Sequence, residues 1–171
     1  FNPMMLIESG GIEPFFQGMD AQGQQNMDSK VIDDVRNFLF GAPGAGGLDL
    51  VSININRGRE RGLPDFNTVR RNFGLQPYYF FQQVSFNPET VSRLSTLYRS
   101  IQNIDPWVGM LAETPMRGAL FGETIVAIMT RQFANLRDGD RFFYLNDDGL
   151  SEEEKKEIHQ MRMHDVIMRN T

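Results

Sequence analysis

The segment from Asp49 to Leu75 carries the residues whose types and spacing could do chemistry. At about 100° per residue, Leu50, Ile53, Asn54 and Arg57 fall on one side of a helix. An apolar stripe there becomes an amide and then a guanidinium. The amide oxygen suits an N–H donor, and the guanidinium suits a carboxylate. Burying either without a partner costs several kcal/mol, so both must meet polar groups from elsewhere, neighbouring backbone carbonyls being the simplest. Arg57, Arg59 and Arg61 alternate, but without interleaved aromatics they do not form a nucleic-acid surface.

Other candidates are weaker. His159 and His164 stand at i and i+5 in a charged region, not at the i, i+4 spacing of a helical zinc pair, and read as solvated. Asn146-Asp147-Asp148-Gly149 lacks the ligand spacing of a calcium loop and reads as a turn, as does Asp138-Gly139-Asp140. The run Gly41-Ala42-Pro43-Gly44-Ala45-Gly46-Gly47 has no following Gly-Lys-Ser/Thr and no preceding strand, so it reads as a flexible interhelical loop. The absence of Cys excludes thiolate catalysis, disulfides and Cys-ligated metal centres.

Composition bounds the rest. The 171 residues fit about one domain, and 40% hydrophobic with 23% charged residues describes a globular chain. Seventeen basic against 22 acidic side chains leave a net charge of −5, against a nucleic-acid partner. No apolar run of about 20 residues exists to form a transmembrane segment. The start at Phe1, without an initiator Met or a basic signal-peptide region, is read as a cut from something longer.

The elements that must position these residues are helices. Met4 to Glu8 reads as helix stopped by Gly10-Gly11, and Ile12 to Gly18 as a short apolar segment. Asp28 is expected to cap a helix to about Phe40, with Val31, Ile32, Val35, Phe38 and Leu39 on its buried face. Asp49 caps a second helix ending at Gly62, and Asp65 a third carrying Phe66, Val69 and Phe73. Asn87-Pro88 starts a helix expected to bury Val91, Leu94, Leu97, Tyr98 and Ile101. An apolar helix is expected from about Gly118 to Leu136, and the capping box of Ser151 and Glu154 opens a last one. The fold class is mainly α.

The run Ser52-Ile53-Asn54-Ile55-Asn56-Arg57-Gly58-Arg59-Glu60-Arg61-Gly62-Leu63-Pro64, with Phe66-Asn67 and Arg70-Arg71-Asn72-Phe73-Gly74-Leu75, resembles the C-terminal signature of the animal-type haem peroxidases, the peroxidase–cyclooxygenase superfamily. Glu8-Ser9-Gly10-Gly11-Ile12-Glu13-Pro14, Asp105-Pro106-Trp107-Val108-Gly109, the block from Gln132 to Phe142 and Arg169-Asn170-Thr171 resemble further family motifs, in order along the whole chain. The chain is identified as the C-terminal helical part of a single peroxidase domain, residues 1–171, truncated at both ends, of a bacterial-type member.

That resemblance implies haem as cofactor, with the distal His, distal Arg, proximal His ligand and calcium loop all upstream of Phe1. Asn54 matches the residue that accepts the Nδ1–H of the proximal His, and Arg57 one near the haem propionates. Leu39, Phe40, Leu50 and Ile53 match apolar positions on the proximal side. Arg61 stands where many members carry His, at a position expected outside the pocket. The implied activity is reduction of hydrogen peroxide with oxidation of a halide or small organic donor, in an extracellular setting, the remainder of the domain being this segment's partner. A fatty-acid oxygenase of the same superfamily, or a haem-free structural module of a large secreted protein, are the alternative expectations.

Overall fold

Short polar side chains set most helix starts. Residues 3–41 and 44–170 are described in this computed structural model; expectations that fall on Phe1, Asn2, Ala42, Pro43 and Thr171 lie outside the described residues. The helices are α1 (Met4–Glu8), α2 (Glu13–Ala21), α3 (Asp33–Asn37), α4 (Leu50–Glu60), α5 (Phe66–Asn72), α6 (Phe81–Val84), α7 (Pro88–Tyr98), α8 (Pro106–Ala112), α9 (Glu123–Gly139), α10 (Glu152–Gln160) and α11 (Met163–Asn170). The chain is mainly α, as its periodicity indicates. Among the described residues the only β pairing is an isolated antiparallel bridge between Leu39 and Leu48. No described helix is long and apolar enough to cross a membrane.

The caps at Asp49, Asp65, Asn87 and Ser151 form as expected. Asp49 accepts from the N–H groups of Val51 and Ser52, Asp65 from that of Thr68, and Asn87 from those of Glu89 and Thr90. Ser151 and Glu154 close a reciprocal capping box on α10. α4 and α5 then stop in the same way. The N–H groups of Gly62 and Leu63 return to the carbonyls of Arg59 and Gly58, and those of Gly74 and Leu75 to Arg71 and Arg70. Gly62 and Gly74 take φ of 68° and 78°, the left-handed turn that favours glycine.

Elsewhere the elements differ from expectation. The helix expected from Asp28 to Phe40 is only α3. The Asp28 carboxylate accepts from the Lys30 N–H in a local turn that competes with a helical start, and the bridge to Leu48 takes Leu39 out of the helix. The apolar helix begins at Glu123, not Gly118, and runs on through Asp138 and Gly139, so the turn expected there starts at Asp140. A separate helix, α11, follows α10. Leu97 is 76% exposed, because the buried side of α7 is centred on Leu94.

Two compact units share the chain. Residues 26–133 form one, and residues 3–25 with 134–170 form the other. The first holds the core of Phe66, Val84, Leu94, Ile101, Ile104 and Ala112, with Tyr78, Phe81, Tyr98, Val108 and Met110 packed against it. Fully burying such a side chain contributes about 1.5–3 kcal/mol. α8 packs on both α4 and α5, α7 on α6 and α3 on α4. This fixes α4, the helix with the unusual face, on the core.

Candidate functional site

α4 presents Asn54 and Arg57 one turn apart. Asn54 is half-buried and Arg57 exposed, and both line a cavity of about 290 Å3 with Ile55, Gly58, Arg61, Leu63, Asp105, Pro106 and Trp107. Among the described residues neither the Asn54 amide nor the Arg57 guanidinium makes a hydrogen bond or ion pair. The backbone-carbonyl partners that the sequence left open for them are therefore not used. Leu50 and Ile53 lie half-buried on the same helix but outside this cavity. Leu39 is half-buried in the bridge to Leu48, and Phe40 next to it is 75% exposed at a φ of 64°. Arg61 also lines this cavity.

α4 is tied down through Asp105, which also lines the cavity. Arg59 donates from Nε and Nη2 to the two oxygens of Asp105 at 2.9 and 2.7 Å, and the Tyr98 hydroxyl donates to Asp105 Oδ2 at 2.8 Å. The Arg59 bond holds the Asp105 carboxyl below its ordinary value despite the opposing cost of burial. Burial, reinforced by the bond to Asp105, pushes the Tyr98 phenol up to about 12. Asp105 thus locks α4 to α7 and α8 rather than capping α8 with its side chain. Sequence reasoning found the Asp105-Pro106-Trp107 motif but not this clamp, nor Trp107 in the cavity wall. The available signal was Arg59, an arginine facing away from the Asn54 face.

Sequence reasoning also missed a polar cluster centred on the buried Arg70, Glu113 and Thr124. Arg70, 2% exposed, donates from Nη1 to Glu113 Oε1 at 2.5 Å and Thr124 Oγ1 at 2.8 Å, from Nη2 to Glu123 Oε2 at 2.7 Å, and from Nε to the Gln76 carbonyl at 2.8 Å. Its guanidinium lies 3.8 Å from the Tyr78 ring centroid, and the Tyr78 hydroxyl donates to Glu113 at 2.9 Å. Burial first, then the Glu113 charge, pushes the Tyr78 phenol up. The buried side of α5 is Phe66, Asn67 and Arg70, not Phe66, Val69 and Phe73. Every buried polar side-chain atom among the described residues has a partner.

His159 Nδ1 pairs with the Tyr144 hydroxyl at 2.8 Å. Among the described residues no group of three or more His, Cys, Asp or Glu is placed to hold a metal ion. Asp147 accepts from the Gly149 N–H, a turn as expected.

Residues 1–171 match the family described as animal haem peroxidase. The chain belongs to that family. Peroxinectin A of Dictyostelium discoideum is 43% identical over 144 residues, covering 84% of this chain and 27% of the relative. Mouse thyroid peroxidase is 34% identical over the whole chain and 19% of its own length. The structure of Dictyostelium peroxidase A superposes with a TM-score of 0.88 at 39% identity, over 99% of this chain and 32% of that one. A rice fatty acid α-dioxygenase shares the fold, with a TM-score of 0.81 at 22% identity. The chain therefore spans about a fifth to a third of these haem peroxidase relatives, and its helices are those of the C-terminal part of the fold. These eukaryotic relatives overturn the expectation of a bacterial-type member. That expectation rested on the breadth of the superfamily and not on any residue of this chain.

Proposed function

We propose that this chain, as the C-terminal part of a single peroxidase domain, forms the proximal wall of the haem pocket in an extracellular peroxidase. The whole enzyme reduces hydrogen peroxide and oxidises a halide or small organic donor. The observation that carries this reading is the pair of polar side chains on α4, one turn apart on one cavity and without protein partners. The polar pair fits haem chemically: Arg57 would offer a guanidinium to a propionate and Asn54 an amide oxygen to a ring N–H, while Leu50, Ile53, Leu39 and Phe40, outside the cavity itself, would add apolar contact only beyond it. Bound haem supplies the iron at which peroxide is reduced. Asn54 Oδ1 accepts the Nδ1–H of the imidazole ligand contributed by the remainder of the domain. It thereby fixes the ring and holds that proton on nitrogen. The Arg59–Asp105–Tyr98 clamp keeps α4 in register beneath it. For calcium the described residues offer no cluster, and no step is assigned to it.

The peroxidase reading is preferred over a fatty-acid oxygenase because mouse thyroid peroxidase and Dictyostelium peroxidase A are both above 30% identical, whereas the likeness to the rice dioxygenase is one of fold. Spectroelectrochemistry of the complete haem-loaded enzyme tests it. Asn54→Asp draws the Nδ1 proton toward the carboxylate, makes the ligand more anionic and lowers the Fe(III)/Fe(II) potential. Asn54→Ala loosens the ring and costs on the order of 10–100-fold in haem affinity or activity. Asn56→Ala, about 200° round the helix, changes little. An unmoved potential in Asn54→Asp together with a shift in Asn56→Ala puts the wrong face of α4 toward the haem and removes Arg57 from the pocket as well.

A further inference from the structure

The four tyrosines of the chain differ in where their hydroxyl protons can go. Tyr78 and Tyr98 donate to Glu113 and Asp105, carboxylates already engaged by Arg70 and Arg59. A carboxylate held by a guanidinium is a poor proton acceptor. Tyr79 is 65% exposed, and among the described residues its hydroxyl has no partner. Tyr144 alone is paired with an imidazole, its hydroxyl 2.8 Å from His159 Nδ1, and it donates there in the tautomer that carries hydrogen on Nε2. That separation lies within the range of about 2.6–3.2 Å over which a proton passes directly. An imidazole's ordinary pKa of about 6.5 exceeds a carboxylate's by about 2 or more.

The pair is built by local structure. The capping box of Ser151 and Glu154 fixes the start of α10, and His159 occupies its last turn. Tyr144 opens a short 3-10 turn, half-buried, with the Phe143 ring edge-on at 5.0 Å.

We propose that Tyr144 and His159 form a one-electron oxidation site at the protein surface. An outer-sphere one-electron oxidant takes an electron from the Tyr144 phenol, and the O–H bond breaks. The proton passes to His159 Nδ1, in the tautomer that carries hydrogen on Nε2. The products are a neutral phenoxyl radical, an imidazolium and the reduced oxidant. The radical is then quenched by a small reductant or couples with a second radical at its ring carbon. Tyr144 is thereby the phenol through which oxidising equivalents leave the protein, or at which it becomes covalently modified. This assignment is independent of the haem reading, since any oxidant of that class completes the balance.

The test oxidises the intact protein with photogenerated tris(bipyridine)ruthenium(III) in the presence of a nitroso spin trap, and locates the adduct by peptide mass spectrometry. Tyr144 is expected to carry most of the adduct and Tyr79, although more exposed, little. His159→Gln keeps a hydrogen-bond acceptor but not a base, and should cut the Tyr144 adduct roughly 100-fold, the lower end of what a positioned proton acceptor contributes. Tyr144 oxidation should also slow in D2O in the wild type. Tyr144→Phe retains the ring and should lower the oxidant consumed per protein. Preferential labelling of Tyr79, an unchanged Tyr144 yield in His159→Gln, or unchanged oxidant consumption in Tyr144→Phe each overturns the assignment.

Discussion

Arg57 and Arg70 sit on consecutive helices, and the fold treats them in opposite ways. Arg70 is buried with two carboxylates, a hydroxyl, a carbonyl and an aromatic face around it. Arg57 stands exposed beside Asn54 on a cavity, with no partner among the described residues. A buried guanidinium is tolerated only when the chain itself supplies the counter-charge. A guanidinium left open on a cavity wall is free to take a carboxylate from outside the chain. The difference separates an arginine that holds the fold from one left open on a cavity, though their sequence contexts, Asn56-Arg57-Gly58 and Val69-Arg70-Arg71, do not announce it.

The comparison breaks first at Glu113. Glu113→Ala removes the buried carboxylate of Arg70, leaving only half-exposed Glu123 as counter-charge, and should cost up to about 3–5 kcal/mol, read as a fall in the urea midpoint. Replacing Arg70 and Glu113 together by Met and Leu should cost less than the single change. A loss below about 1 kcal/mol in Glu113→Ala would show that the cluster does not hold the fold. An intermediate case is Asp105, whose partner Arg59 is 61% exposed. The folded-state pKa of Asp105 is depressed, so its stabilisation is full above its ordinary value of 3.8 and is lost as pH falls below it. For so exposed a partner the effect is about 1 kcal/mol or less. Urea midpoints compared between about pH 6 and about pH 3 should fall further for the wild type than for Asp105→Asn. Equal falls would remove Asp105 from the acid response. The smallest effect belongs to Arg57→Ala, which should leave stability in the absence of haem within about 0.5 kcal/mol. A loss above about 1 kcal/mol would place Arg57 with Arg70 and erase the distinction.

What could be read in the sequence follows the range of the interactions. Asp49, Asp65, Asn87 and Ser151 act on N–H groups two or three residues away, and each marks its helix start. Asn54 and Arg57 were visible as polar intrusions on an apolar helix face, because that face is set by local geometry. Arg70 was not visible, since Glu113 and Thr124 lie 43 and 54 residues further along. Asp105 was visible only as part of a motif, and Arg59, 46 residues before it, claims both its oxygens. Leu97 has the spacing of a core residue, and only the packing of α7 about Leu94 decides that it stays outside. Trp107 joins the cavity because α8 packs on α4, which no local pattern encodes.

The sequence separation within the Arg70 cluster also sets an order in time. At a synthesis rate of about 5–20 residues per second, Arg70 leaves the ribosome roughly 2 to 10 s before Glu113 and Thr124 do. Throughout that interval its guanidinium has no buried counter-charge to meet, and α5 cannot be sealed into the interior around it. Phe66, on the same helix face, stays unsealed with it. The nascent chain therefore waits, open at its centre, until the start of α9 has been made.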